Sequence, residues 1–418
     1  MSYFTPLNGL SGGAVIGLSA GALLLLSGEI LGASGLVSST ILYPQKALSD
    51  PSITWKLVFI SSFLVFSNSV LGQYFASDPR MEQDEHLMVV STAGYLLGGA
   101  LVGFGTRLGN GCTTGHGICG LARMSKRSLV AVIAFMLSAL ITANLVAPDN
   151  SMFSEMTSFL RTNEAPQLEN AVLGKTVTMP VVMATMIALY NLRKATESLE
   201  EKEEKAVVDN TTTSTTTTTT SAAEEKKEED TKSTEKPKDE IEVSRKFDSK
   251  KRIPGRRERV IIQDATGKLL PAIFAGSLFA LGLALSGMVV PSKILGFLNL
   301  YLAQQGTWDP TLLMVMGGGS IFSWIAYQFV DGFGVIPNKY SISAPRGSSS
   351  FCNIPTNTKI DANLVIGGSV FGIGWGIAGL CPGPAMFLAA TGTQPIIQYW
   401  WPMFIGGAFV AQKVKEMK

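Results

Sequence analysis

Charged side chains are scarce in this sequence. Only 16% of its 418 residues are Asp, Glu, Lys or Arg, whereas soluble domains carry about 25%. The scarcity is also uneven, because 17 basic and 17 acidic residues lie between Arg193 and Arg259 and leave apolar blocks on both sides. This distribution argues against a soluble enzyme, and a net charge of +2 gives nucleic acid no electrostatic footprint. We interpret the chain as a polytopic protein of the lipid bilayer without a nucleic-acid partner.

Other signals are missing too. The sequence has no Gly-rich loop ending in Gly-Lys-Ser/Thr, which argues against ATP hydrolysis by this chain. No charged N-terminal region with a cleavage site precedes the first apolar stretch, so we expect no removable signal peptide. With only four cysteines and two histidines, ligands for a metal are few. We expect neither a cofactor nor a resident metal.

Nine apolar stretches approach or exceed the length that crosses about 30 Å of hydrocarbon. They lie near residues 10–27, 53–76, 87–106, 128–147, 176–193, 268–288, 311–331, 363–380 and 397–414. We predict an all-α membrane protein with about nine transmembrane helices and re-entrant half-helices. Residues 1–193 form a first membrane repeat of about five spans, 194–263 a disordered linker rich in charge and threonine, and 264–418 a second repeat of about four spans.

The two repeats are predicted to be inverted relative to each other. Five spans precede the linker, so the second repeat starts from the opposite side of the membrane. Two pairs of segments are similar in sequence: 23–28 resembles 283–287, and 109–112 resembles 378–381. Many transporters bind their substrate at the midplane where such repeats meet.

Basic residues in the loops predict the orientation. Arg123, Lys126 and Arg127 fill one loop, the linker carries many more, and the loops at 77–86 and 148–172 are net acidic. Because Lys and Arg favour the cytoplasmic side, we expect the N-terminus outside and the linker and C-terminus in the cytoplasm. The plasma membrane is the expected location.

Four apolar segments contain too much Gly or Pro for an unbroken helix. They are residues 27–35, 105–120, 286–291 and 379–384. Irregular backbone at membrane depth is tolerated only where protein or a polar cavity surrounds it. Each break also exposes helix N-termini, whose N–H groups and dipole favour an anion.

Cys112 and Cys381 occupy related positions, each at a break of its own repeat. A thiol there can donate weakly to a soft sulfur atom, and the hydroxyls of Thr113 and Thr114 can bind a substrate's oxygens. The combination fits a small anion with a sulfur end and an oxygen end. Cys119 and Cys352 are interpreted as inert buried residues.

Ionisable residues at membrane depth are functional candidates. Arg107 either neutralises an anion or anchors a half-helix, and Lys293 either faces an anion or lies at the interface. Glu29 caps a helix end or pairs with one of these cations. His116 either donates to an anion or is a packed histidine with satisfied ring nitrogens.

At these residues the chain resembles the YeeE/YedE sulphur-transport family. The matching stretches are 109–117, 279–288, 308–310 and 372–384. The resemblance implies an hourglass-shaped thiosulfate transporter whose cysteines pass thiosulfate along a central path, with Cys112 as the central cysteine and Cys381 as that of the second half. Thiosulfate carriers of the family have a further cysteine near the first break, where this chain has Ser27-Gly28-Glu29.

We therefore predict a transporter, not an enzyme, for thiosulfate or a related small sulfur-containing anion. The predicted pathway residues are Cys112, Cys381, Gly111, Thr113, Thr114, His116, Arg107 and Gly383. One alternative is a membrane sulfurtransferase that forms a persulfide on Cys112, activated by the charge of Arg107. The other is a metal-ion carrier that uses Cys112, His116 and Cys119. A cytoplasmic sulfurtransferase is a candidate partner.

Overall fold

The computed structural model describes residues 4–76, 89–146, 158–162, 171–217, 262, 265–304, 306, 308–330, 353–355 and 357–417. Helices dominate these residues. The first half contains α1 (Pro6–Ser27), α2 (Ala33–Ile41), α3 (Pro44–Ser49), α4 (Pro51–Ser67), α5 (Val70–Ala76), α6 (Thr92–Gly109), the π-helix α7 (Thr113–Gly120), α8 (Lys126–Leu145) and α9 (Ala171–Thr217). The second half contains α10 (Leu269–Ser286), α11 (Pro291–Leu298), α12 (Tyr301–Gln304), α13 (Thr311–Gln328), α14 (Ala362–Ala378), α15 (Pro382–Thr391) and α16 (Trp401–Glu416), with a π-helical turn at Ile396–Trp400.

Extended structure is minimal in the described part of the chain. It consists of two antiparallel two-residue strands, β1 (Val89–Val90) and β2 (Arg161–Thr162). Four helical stretches among the described residues are long and apolar enough to cross a membrane, namely Pro6–Ser27, Lys126–Leu145, Ala265–Ser286 and Ala362–Thr391. The chain is therefore an all-α membrane protein, while the number of nine spans stays a prediction.

All four predicted breaks are present. α1, α6, α10 and α14 each end at a residue with left-handed backbone: Gly28 (φ 68°), Asn110 (φ 61°), Gly287 (φ 69°) and Gly379 (φ 64°). A positive φ ends a helix and is most accessible to Gly and Asn. A few residues later a shorter helix begins, so that each long helix is followed by one of the half-helices α2, α7, α11 and α15.

α1 and α10 pack antiparallel. Gly12 near the start of α1 lies against Ser286 at the end of α10. Further along α1, the Ser19 hydroxyl donates to the carbonyl of Ala275 at 2.7 Å. Just past α1, Glu29 pairs with Lys268 immediately before α10.

α6 and α14 pack antiparallel through small residues. Gly98 contacts Ala378, Gly105 contacts Phe371, and Gly109 contacts Gly367. Small residues let helix backbones approach closely in membranes. The breaks after α6 and α14 therefore lie toward opposite ends of this helix pair. After each break the chain turns back toward the middle of the pair, because Thr113 contacts Cys381. The two half-helices consequently begin in the middle of the protein.

The linker differs from its prediction in its first part. Disorder was expected from residue 194 onward, whereas α9 continues through Arg193 to Thr217. Alternating Glu and Lys allow ion pairs one helical turn apart, as between Arg193 and Glu197 at 2.8 Å, and such pairs support a helix in water. Residues 218–261 lie outside the described residues, as does Cys352.

Candidate functional site

Cys112 and Cys381 occupy the same local structure in the two halves of the chain. Each is the N-cap residue of a half-helix, α7 and α15 respectively, and each has an extended backbone. Each also follows a left-handed residue by two positions, Asn110 in one case and Gly379 in the other. Both thiols are free and buried, with Cys112 1% and Cys381 6% exposed.

Two threonines connect the breaks. The Thr113 hydroxyl donates to the Cys381 sulfur at 3.5 Å. The Thr114 hydroxyl lies 3.2 Å from the Cys112 sulfur and accepts the backbone N–H of Ala33, the first residue of α2, at 3.1 Å. Three half-helix N-termini (α2, α7 and α15) thus meet around the two thiols.

The fourth half-helix also contacts this centre. A side chain at Gly379 would meet the carbonyl oxygen of Pro291, the first residue of α11, at 2.6 Å. The carbonyl ends of these short helices lie away from the thiols because each helix begins at its break. The dipoles of converging N-termini create a positive potential without a charged side chain.

His116 is a packed histidine. Its Nδ1 lies 3.1 Å from Ser128 Oγ and its Nε2 lies 3.3 Å from the carbonyl oxygen of Gly109. Gly111 provides the space for the ring, since a Cβ at Gly111 would lie 2.5 Å from His116 Nε2. In this arrangement His116 and Gly111 shape the break after α6 rather than present a free donor.

Gly383 sits in the first turn of α15 and allows close packing. A Cβ at this position would lie 3.2 Å from Cζ of Phe279 on α10. At the other side of α15, the indole N–H of Trp401 donates to the carbonyl of Ala385 at 3.1 Å. Nothing in the sequence pattern singled out Trp401, because its hydrogen bond to Ala385 joins α16 to α15, which are separate helices.

Arg107 does not point into the break that follows it. Its guanidinium donates to Gln412 Oε1 on α16, at 2.8 Å from Nε and 2.5 Å from Nη2. The expectation that it anchors a helix fits this geometry, and the expectation that it neutralises an anion does not. The persulfide hypothesis relied on its charge next to Cys112, and that support is lost.

Glu29 and Lys293 have partners that the sequence did not indicate. Glu29 pairs with Lys268 at 2.8 Å and accepts from Asn353 at 2.8 Å, so its predicted pairing with Arg107 or Lys293 is wrong. Lys293 is 8% exposed, donates to the Thr5 hydroxyl at 2.8 Å, and lies 3.7 Å from Asp309. Its side chain is therefore buried in a polar cluster with Thr5 and Asp309.

Cys119 makes a different hydrogen bond from those of Cys112 and Cys381. Its thiol donates to the carbonyl of Leu31 at 3.3 Å, and its side chain is 2% exposed. In the described part of the chain, no group of three or more His, Cys, Asp or Glu side chains is placed to hold a metal ion. The Cys112–His116–Cys119 ligand set of the alternative hypothesis is not assembled, since both ring nitrogens of His116 face other groups.

Comparison with known proteins gives the family. Residues 3–141 match a family model described as sulphur transport, and residues 267–413 match one described as a family of unknown function (DUF6691). A protein of Xylella fastidiosa strain 9a5c named a probable transporter is 38% identical over 135 residues, which is 32% of this chain and 84% of that protein. The chain belongs to the sulphur transport family.

A second relative supports the same assignment. It is a probable transporter of Xylella fastidiosa strain Temecula1, 36% identical over 142 residues, which cover 34% of this chain and 87% of the relative. Family membership and the apolar helices identify this sulphur transport protein as a multi-pass membrane transporter. Each of these relatives matches about one third of the chain.

Proposed function

We propose that this protein carries thiosulfate or a related small sulfur-containing anion along a path lined by Cys112 and Cys381. The observation that carries the proposal is the convergence of two N-cap thiols at the starts of α7 and α15, joined through Thr113. A path through the middle of the molecule is the natural place for such a site in a transporter with broken helices.

The chemistry of the site matches both ends of the substrate. Thiosulfate has a terminal sulfur, to which an S–H group can donate weakly, and oxygens that accept from hydroxyl and amide donors. Thr113 and Thr114 supply hydroxyls beside the thiols. The net negative charge is balanced by helix dipoles instead of a bound cation, which lets the anion leave as readily as it enters.

The inverted-repeat prediction has support from α6 and α14. Both segments carry the same residues at the same spacing. In the first half these are Ala93, Gly98, Gly99, Gly103, Gly105 and Cys112, and in the second half Ala362, Gly367, Gly368, Gly372, Gly374 and Cys381. Because the two helices pack antiparallel, we infer that they are equivalent elements of opposite orientation.

A second pair of equivalents begins α4 and α13. Asp50-Pro51-Ser52 lies at the start of the first and Asp309-Pro310-Thr311 at the start of the second. In both, the aspartate accepts the backbone N–H and the hydroxyl of the residue two positions later. With α9 as an additional span, this correspondence accounts for the nine spans we propose: α1, α4, α6, α8, α9, α10, α13, α14 and α16.

We further propose the plasma membrane as the location, with the linker and C-terminus cytoplasmic. The basic side chains of Arg123 and Arg127 lie at one end of the molecule with Lys359 and Asp361 of the opposite half. A cysteine introduced at Lys413 in a background without Cys112, Cys119, Cys352 and Cys381 tests this. It should react with a membrane-impermeant maleimide only after the cells are opened, and labelling of intact cells would reverse the orientation.

Uptake of labelled thiosulfate into proteoliposomes tests the function. We expect saturable uptake that unlabelled thiosulfate inhibits more strongly than sulfate, because sulfate lacks the terminal sulfur. Liposomes without protein are the control. Uptake no faster than in these liposomes would overturn the proposal, and equal competition by sulfate would remove the role of the thiols.

A further inference from the structure

Arg161 has a buried guanidinium nitrogen, Nη1, that makes no hydrogen bond among the described residues. By contrast, Arg127 binds Asp361, and Arg107 binds Gln412. Burial lowers the pKa of Arg161 to about 10, although Tyr95 opposes the shift. Burying a charged group with an unsatisfied donor is costly, and such groups in membrane proteins are candidates for substrate contact.

The segment that carries Arg161 is held firmly against the start of α6. Arg161 pairs with Val90 in the two-stranded ladder. Next to it, the backbone N–H of Ser91 donates to the carbonyl of Leu160 at 3.1 Å, and the Ser91 hydroxyl donates to that of Phe159 at 2.6 Å. Arg161 is thereby fixed beside a helix N-terminus.

Ser91 is also the N-cap of α6, because its hydroxyl accepts the backbone N–H of Gly94 at 3.1 Å. The positive end of this helix dipole adds to the charge of Arg161. Tyr95, one turn into α6 and 6% exposed, lies close enough to Arg161 to interact with it electrostatically. A guanidinium, a phenol and a helix N-terminus together suit an oxyanion.

The position also leads toward the cysteines. Leu160 packs in one apolar cluster with Ile377, near the end of α14 and four residues before Cys381. Cys381 in turn contacts Thr113 beside Cys112. An anion at Arg161 would therefore lie at the end of the protein where α14 ends and its break begins.

We propose that Arg161 and the N-terminus of α6 form the capture site for the sulfur-containing oxyanion at one mouth of the path. Cys381 is the next group that the anion contacts. This inference rests on the proposed function. It assigns the capture to the oxygens of the anion, whereas the thiols deeper in the path act on its sulfur.

The test compares Arg161→Gln and Arg161→Lys with Arg193→Gln, an arginine whose partner Glu197 lies on the same exposed helix face. Thiosulfate uptake is measured in right-side-out and in inside-out vesicles. We expect Arg161→Gln to raise KM at least ten-fold from one side of the membrane only, Arg161→Lys to have a smaller effect, and Arg193→Gln to match the wild type. An unchanged KM from both sides, or an equal rise from both, would overturn the capture site.

Thermal unfolding separates capture from a structural role. Removal of a buried charge whose Nη1 is unsatisfied should leave the unfolding midpoint of Arg161→Gln equal to or above that of the wild type. Thiosulfate should raise the midpoint of the wild type more than that of the variant. A lower midpoint with equal response to thiosulfate would assign Arg161 to folding. If the wild type carries no thiosulfate at all, the proposed function fails; if it does and KM is unaffected, only the assignment of Arg161 fails.

Discussion

The hydroxyl of Thr113 lies 3.5 Å from the sulfur of Cys381, although 268 positions separate the two residues. This contact joins the break of the first half of the chain to that of the second. It can form only because the chain turns back after α6 and after α14, so that both half-helices begin between the ends of this antiparallel pair. The contact thus links the architecture to the proposed path.

Loss of the Thr113 hydroxyl should slow transport without unfolding the protein. Thr113→Val keeps the shape of the side chain but removes the donor to Cys381 and to a passing anion. One neutral hydrogen bond is worth about 1 kcal/mol, or about five-fold in rate, and we expect thiosulfate uptake to fall by about that factor. The matched control is Thr40→Val, since the Thr40 hydroxyl donates to carbonyls of its own helix, those of Leu36 and Val37. Equal uptake by both variants would contradict a role for the Thr113 hydroxyl.

Gly111 and His116 should be coupled in stability. Gly111→Ala places a methyl group 2.5 Å from the His116 ring, and such overpacking costs about 1–3 kcal/mol. In a His116→Ala background the ring is absent, so the same glycine substitution should be nearly neutral. Thermal unfolding of the two single variants and the double variant measures the coupling. Additive effects would show that the ring does not occupy the place next to Gly111.

The Glu29–Lys268 pair should stabilise the protein across its two halves. Both side chains are close to nine-tenths buried. Lys268→Met leaves the carboxylate without its cation, which costs about 3 kcal/mol for a buried pair. Adding Glu29→Gln to that variant removes the stranded charge and should recover part of the loss.

Lys413→Met is the control for this experiment, because the Lys413–Glu416 pair is exposed and such pairs contribute about 0–1 kcal/mol. The midpoint of thermal unfolding in detergent is the measurement. A Lys268→Met variant as stable as Lys413→Met would contradict a structural role for the buried pair.

The sequence was sufficient to locate the breaks. Gly28, Gly287 and Gly379 lie inside apolar stretches where a helix would otherwise continue, and each has the left-handed backbone that glycine favours. The equivalence of Cys112 and Cys381 also follows from local pattern. Cys112 comes two residues after Asn110 and Cys381 two residues after Gly379, and both of these residues have left-handed backbone. These features depend on residues close together in the chain, which is why they were predictable.

The partners of the charged residues were not predictable. Glu29 meets Lys268, and Arg107 meets Gln412, through contacts between helices more than two hundred residues apart in sequence. Arg161 was not singled out, since a single arginine in a loop carries no pattern of its own. Similarly, the helix beyond Arg193 contains an ion pair one turn apart, between Arg193 and Glu197, which a count of charges does not reveal.

The most direct test of the central claim compares the two path cysteines with a third buried cysteine. Cys112→Ala, Cys381→Ala and Cys119→Ala are reconstituted at equal density after their thermal unfolding midpoints have been measured, and initial rates of labelled thiosulfate uptake are recorded. Cys119 is the control because its thiol donates to the Leu31 carbonyl. We predict that the first two variants lose at least nine-tenths of the uptake rate while Cys119→Ala retains most of it. Wild-type rates in both Cys112→Ala and Cys381→Ala would contradict the thiol-lined path.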